Sequence, residues 1–124
     1  MEIIKKKQAT ISWFSSKIAG CTEEITALQA ENRDDEAVFA KIRMNVYDIF
    51  RTVFSVCTQT AGDDERKLVE EFLSRLQQIP RSWQASFSTT EAHGDVEKAH
   101  IERLKLDAAG EVGAFFRQTW EVEA

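Results

Sequence analysis

The fold is decided by residues 3–31, which read IIKKKQATISWFSSKIAGCTEEITALQAE. Apolar side chains in this stretch recur mostly at steps of three and four residues, the spacing that places them on one face of an α-helix. They are Ile4, Ile11, Phe14, Ile18, Cys21, Ile25 and Leu28. Such a face must pack against a partner, so we expect one long helix from about Ile3 to Glu31 that packs against other helices.

A second segment with the same spacing begins near Asp34 and Asp35 and ends before Gly62. We expect Asp34 or Asp35 to cap its free backbone N–H groups, since acidic residues suit a helix start. Its primary apolar stripe is Phe39, Ile42, Val46, Ile49, Val53 and Val56. A secondary stripe about 100° away is Tyr47, Phe50, Phe54 and Cys57. This helix is therefore apolar over roughly half of its circumference.

The third segment carries the stripe Val69, Phe72, Leu76, Ile79, Trp83 and Phe87. Pro80 interrupts it, and proline has no N–H to donate and crowds the carbonyl group of Leu76. Because Trp83 and Phe87 keep the apolar spacing beyond the proline, we expect a helix that is kinked near Pro80, not one that ends there.

The fourth helix follows a polar connection from Ser88 to Asp95, with Asp95 as its cap. Its main stripe is Ile101, Leu104, Ala108, Val112, Phe115 and Val122, and its flanking stripe is Leu106, Ala109, Gly113, Phe116 and Trp120. The small side chains from Ala108 to Ala114 either permit close approach of a neighbouring helix or leave room for a ligand.

Four segments of similar length with short connections predict one all-α domain over residues 1–124. We expect an antiparallel up-down-up-down four-helix bundle whose third helix is kinked near Pro80. In this topology Val112 lies opposite Phe72, and Ala108 lies opposite Leu76.

A first hairpin centred on Arg33 places Cys21 level with Asn45. Cys57 is then about 18 Å further along the helix axis, so we expect no internal disulfide. Both cysteines are interpreted as small buried apolar residues.

A net charge of −5 argues against a nucleic-acid partner, because phosphate binding needs clustered Lys and Arg side chains. The basic run Lys5–Lys7 is interpreted as a solvated face that meets Glu121 and Glu123 at the bundle end. No apolar run approaches the length that spans a membrane or forms a signal peptide. We therefore expect a cytoplasmic protein without a membrane partner.

Chemistry-bearing motifs are sparse, and no cofactor is expected. Glu97 and His100 form a Glu-x-x-His pair, the spacing used in carboxylate-bridged di-iron bundles, but such sites require two pairs and further carboxylates. The alternative function that this pair suggests is the binding of a metal or a small molecule in the bundle. An enzyme that uses such a site is one form of this alternative.

The main functional hypothesis rests on surplus apolar surface, because the second and fourth helices each carry two stripes. Such excess is typical of interfaces, although wide apolar faces also fill bundle cores. We expect a non-enzymatic interaction or regulatory module that binds a partner helix or forms a homodimer. The aromatic residues predicted to make this contact are Tyr47, Phe50, Phe54, Phe116 and Trp120.

Overall fold

The structure, a computed structural model, describes residues 2–122. These residues form the helices α1 (Ile3–Ala30), α2 (Asp34–Ala61), α3 (Glu65–Gln78), α4 (Arg81–Ala92) and α5 (Val96–Thr119), and no strand. Because α3 and α4 are two parts of one bent rod, the chain is a four-helix bundle, and the predicted all-α fold is confirmed. None of these five helices is both long enough and apolar enough to cross a bilayer.

The bend between α3 and α4 lies at the predicted proline. The N–H of Ile79 donates to the carbonyl oxygen of Arg75 at 2.9 Å, and the N–H of Gln84 donates to the carbonyl oxygen of Pro80 at 2.9 Å. Pro80 itself has no N–H for the carbonyl of Leu76, so one helical hydrogen bond is missing between these two. The bend divides the rod into α3, which packs mainly against α2, and α4, which packs mainly against α5.

Aspartate caps start two of the helices. The side chains of Asp64 and Asp95 each accept a hydrogen bond from the backbone N–H three residues later, at 3.1 and 3.2 Å. At α2 the predicted cap is wrong, because Arg33 occupies that position without a capping hydrogen bond. Asp34 and Asp35 lie in the first turn, where their charges favour the positive end of the helix dipole.

The connection before α5 is shorter than predicted. Residues from Ser88 onward continue α4 to Ala92, which leaves only residues 93–95 between the two helices. The hydroxyl groups of Thr89 and Thr90 donate to the carbonyl oxygens four residues earlier, at 3.0 and 2.8 Å. Polar composition suggested a loop here, but these threonines satisfy their hydroxyls on the helix itself.

This longer α4 moves the turn and shifts the pairing of α3 with α5. The rings of Phe72 and Phe116 are 4.3 Å apart, so Phe72 is level with Phe116 and not with Val112. The predicted pairs Val112 with Phe72 and Ala108 with Leu76 are therefore wrong by about one helical turn. When the centre of the turn between two antiparallel helices moves by two residues, each residue of one helix pairs with a residue four positions further along the other.

The first hairpin keeps its predicted register. Thr22 Oγ1 lies 3.6 Å from Met44 Sδ, and Arg43 Nη2 lies 2.6 Å from Glu24 Oε2. These pairs place the residues near Cys21 level with those near Asn45.

The core is centred on α2, which packs against α1, α3 and α5. Its secondary stripe faces inward, with Phe50 and Phe54 fully buried. On the primary stripe Val46 is buried, whereas Ile49 and Val56 remain 39% and 56% exposed. The order of the two stripes is thus reversed, because the aromatic rings bury more apolar area than the β-branched side chains.

Candidate functional site

The five aromatic residues predicted to contact a partner all lie inside the bundle. Tyr47, Phe50, Phe54, Phe116 and Trp120 are each at most 3% exposed. The ring of Phe54 contacts the rings of both Phe116 and Trp120. These side chains form the core and are too deeply buried to be covered by a partner helix, so a helix contact through them would require the bundle to open.

The surface of α2 instead carries an uncharged row of apolar and polar side chains, which we call the outer row. It consists of Val38, Ile42, Asn45, Ile49, Thr52, Val56 and Gln59, which follow one another at alternating steps of four and three residues. Val38, Ile49 and Val56 are 47%, 39% and 56% exposed, and no member of the row is charged. Heptad spacing of this kind is typical of a helix that packs against another helix.

A groove of about 710 Å³ borders the outer row between α2 and α3. Val53, Val56 and Ile79 contribute its apolar lining, and Glu70 and Arg75 contribute charged groups. The apolar surface at Val56 therefore continues beyond α2 toward α3.

The Glu-x-x-His pair lies exposed at the start of α5. Glu97 and His100 both face solvent, and the His100 ring makes an edge-to-face contact with Phe39 at 4.9 Å. Between residues 2 and 122, no group of three or more His, Cys, Asp or Glu side chains is placed to hold a metal ion. The structure brings no further ligand to this pair.

A buried polar cluster joins the start of α1 to the end of α5. The Trp120 indole N–H donates to Thr10 Oγ1 at 2.9 Å, and the Thr10 hydroxyl donates to the carbonyl oxygen of Lys6 at 2.8 Å. Lys6 is only 4% exposed, and its ammonium lies 3.1 Å from a carboxylate oxygen of Glu65 and 3.8 Å from one of Glu121.

The predicted solvated face at Lys5–Lys7 is therefore wrong for the middle lysine. Lys7 donates to the carbonyl oxygen of Gly62, which ends α2 at a φ of +59°. The predicted contact with Glu121 is confirmed for Lys6, and Glu123 lies outside the described residues. Apolar spacing could not reveal this cluster because its buried members are polar.

A cleft of about 490 Å³ opens where α1, α2 and α5 meet. Trp13 and Tyr47 form aromatic walls, and Lys17 and Glu111 lie between them as an ion pair at 3.0 Å. The Tyr47 hydroxyl donates to the same carboxylate oxygen at 2.9 Å. Burial and this hydrogen bond raise the pKa of Tyr47 above its usual range, so the phenol stays neutral.

Neither cysteine has the surroundings of a reactive thiol. Cys21 lines the cleft and Cys57 lines the groove between α2 and α3, and both are free and buried. Burial raises the pKa of both thiols, which disfavours the nucleophilic thiolate.

Glu102 is an acidic residue inside the bundle that sequence patterns did not single out. It is 7% exposed, and Lys105 Nζ lies 3.4 Å from its Oε1. Its Oε2 has no hydrogen-bond partner within residues 2–122.

The small residues of α5 line a groove of about 840 Å³ against α3. Ala109, Gly110 and Gly113 form its floor, next to Leu76 and Arg117. A Cβ atom at Gly113 would lie 3.2 Å from Leu76 Cδ2, so this glycine also permits close approach. Close helix approach is therefore shown at Gly113, and whether the groove takes a ligand stays a prediction.

Comparison with known proteins gives no relative from which a function could be carried over. No protein-family model matches the chain, and neither the curated proteins nor the solved structures include a match.

Proposed function

We propose that the chain is a non-enzymatic cytoplasmic interaction module that associates with a second copy of itself through the outer row of α2. The observation that carries this proposal is the position of Ile42, Ile49 and Val56. These side chains recur every seven residues along α2, with Ile49 and Val56 exposed and Ile42 half-buried, on a helix whose opposite face already fills the core. Apolar residues in such a row gain free energy only when another helix covers them.

A second copy has the chemistry that the outer row requires. A partner must offer an uncharged helical face, because an unpaired charge buried against the row would be costly. The α2 helix itself offers such a face over about 30 Å, from Val38 to Gln59. The β-branched residues Ile42, Ile49 and Val56 share one heptad position, and Asn45, Thr52 and Gln59 at the other position are polar but uncharged, so a pair of such helices buries no charge.

Sedimentation velocity over micromolar to millimolar concentrations tests the proposal. We expect the wild type to shift from monomer to dimer, because one helix pair is a small and therefore weak interface. Ile49→Glu places a charge in the row and is expected to keep the chain monomeric. The matched control is Ile11→Glu, at a site on α1 that is 47% exposed, and it should dimerise like the wild type.

Two results would contradict self-association through this surface. One is a wild type that stays monomeric over the whole range. The other is an Ile49→Glu variant that dimerises like the wild type, which would place the interface elsewhere.

A further inference from the structure

The ammonium group of Lys17 lies in a corner formed by two aromatic rings and a carboxylate. Its Nζ is 5.5 Å from the ring centroid of Trp13, 6.0 Å from that of Tyr47 and 3.0 Å from Glu111 Oε2. The planes of the two rings are perpendicular, with centroids 5.9 Å apart. Ring faces and a carboxylate are all negative, so their convergence attracts a cation.

The walls of the corner are held in place by contacts that do not involve Lys17. Phe115 stacks on Trp13 with centroids 4.7 Å apart, and the Tyr47 hydroxyl is bonded to Glu111. A site whose walls are already fixed loses little freedom when it takes a ligand.

The corner can be reached from solvent. The side chains of Lys17 and Glu111 are 40% and 47% exposed, and both line the cleft of about 490 Å³. Gly20 also lines the cleft, and a Cβ atom at Gly20 would have no neighbour within 4 Å. The cleft is therefore open on this side. Lys17 is a long, flexible side chain that can swing out without a change in the backbone.

We infer that this corner binds an organic ammonium of the methylated or quaternary class, and that Lys17 occupies it as an internal competitor. Lys17 lies one helical turn after Trp13, so its ammonium fills the corner at high effective concentration. A primary ammonium is strongly hydrated, whereas methyl groups weaken hydration and add contact with the rings. A methylated ligand therefore gains more from the aromatic walls than the lysine that it displaces.

Calorimetric titration with choline tests this inference. Lys17→Met keeps the aliphatic stem and removes the competing charge, so we expect it to bind choline about tenfold more tightly than the wild type. The neutral isostere 3,3-dimethylbutan-1-ol should bind at least about tenfold more weakly than choline to the same variant. Lys41→Met removes an exposed lysine from α2 and should leave the affinity for choline at the wild-type value.

Two further variants in the Lys17→Met background test the walls. Trp13→Leu removes an aromatic face and Glu111→Gln removes the negative charge. Each should abolish most of the gain in choline affinity that Lys17→Met produces. Glu111 is half-exposed, so its variant keeps the test valid if Trp13→Leu fails to fold. A peptide with one trimethyllysine, compared with its unmethylated form, distinguishes a protein side chain from a free small molecule as the source of the ammonium.

The inference is overturned if Lys17→Met binds choline no better than the wild type. Equal affinity for choline and its neutral isostere would overturn it as well, because the cleft would then recognise shape and not charge. These outcomes do not depend on self-association, since the corner is formed within one chain and contains no member of the outer row.

Discussion

The Trp120 indole N–H and the Thr10 hydroxyl, 110 residues apart in sequence, are joined by a buried hydrogen bond of 2.9 Å. Thr10 is 1% exposed and Trp120 is 3% exposed. Neither group can exchange this partner for water without opening the bundle end. The bond therefore fixes which face of α1 meets α5.

Thr10→Val is expected to lower the free energy of unfolding by about 1–3 kcal/mol, because it leaves the buried indole N–H without an acceptor. Chemical denaturation measures the change. Thr26→Val is the matched control, since Thr26 is exposed and its hydroxyl bonds only to its own helix backbone. Equal effects at the two threonines would show that the bond to Trp120 contributes nothing.

Lys6→Glu should destabilise the fold by about 3 kcal/mol or more, because it buries an acidic group beside Glu65 and Glu121. Lys5→Glu, at the exposed neighbouring lysine, should change stability by no more than about 0.5 kcal/mol. Thermal unfolding of the two variants gives the comparison. Similar melting temperatures would mean that Lys6 is not buried in solution.

The fold was predictable because its determinants are local. Spacing of apolar side chains predicted each rod, and the missing N–H of Pro80 predicted the bend. The inward face of α2 was not predictable, because Phe54 and Val56 both lie on apolar stripes and only the partner helices select between them. Lys6 was missed for a related reason: its burial depends on carboxylates from α3 and the end of α5.

The two glycines near the middle of α5 should respond differently to alanine. At Gly110 a Cβ atom meets open space, so Gly110→Ala should stabilise the fold by about 0.5–1 kcal/mol through helix propensity. At Gly113 a Cβ atom would lie 2.8 Å from Arg117 Nη1 and 3.2 Å from Leu76 Cδ2. Displacing Leu76 offsets the gain, so Gly113→Ala should be about 1 kcal/mol less stable than Gly110→Ala in urea denaturation.

Tyr47 is the sole tyrosine of the chain, so tyrosinate absorbance reports on it alone. Because burial and the bond to Glu111 raise its pKa in the folded state, the phenol of the native protein should titrate at a higher pH than that of the denatured protein, which titrates at about pH 10.

The linked effect on stability has a defined sign. The folded state holds the phenolic proton more tightly, so Tyr47 contributes its stability below pH 10 or so and loses that contribution as the pH rises further. Tyr47→Phe should flatten this alkaline decline in denaturation midpoints. Coincident titration of native and denatured protein would contradict the buried hydrogen bond to Glu111.

The central position of α2 has a consequence for how the molecule opens. Since α1, α3 and α5 all pack on it, the amide hydrogens around Phe50 and Phe54 are sheltered by every neighbour at once. They should exchange with deuterium only when the whole chain unravels. By contrast, α4 packs mainly against α5 alone, and its amides should exchange earlier through local unfolding.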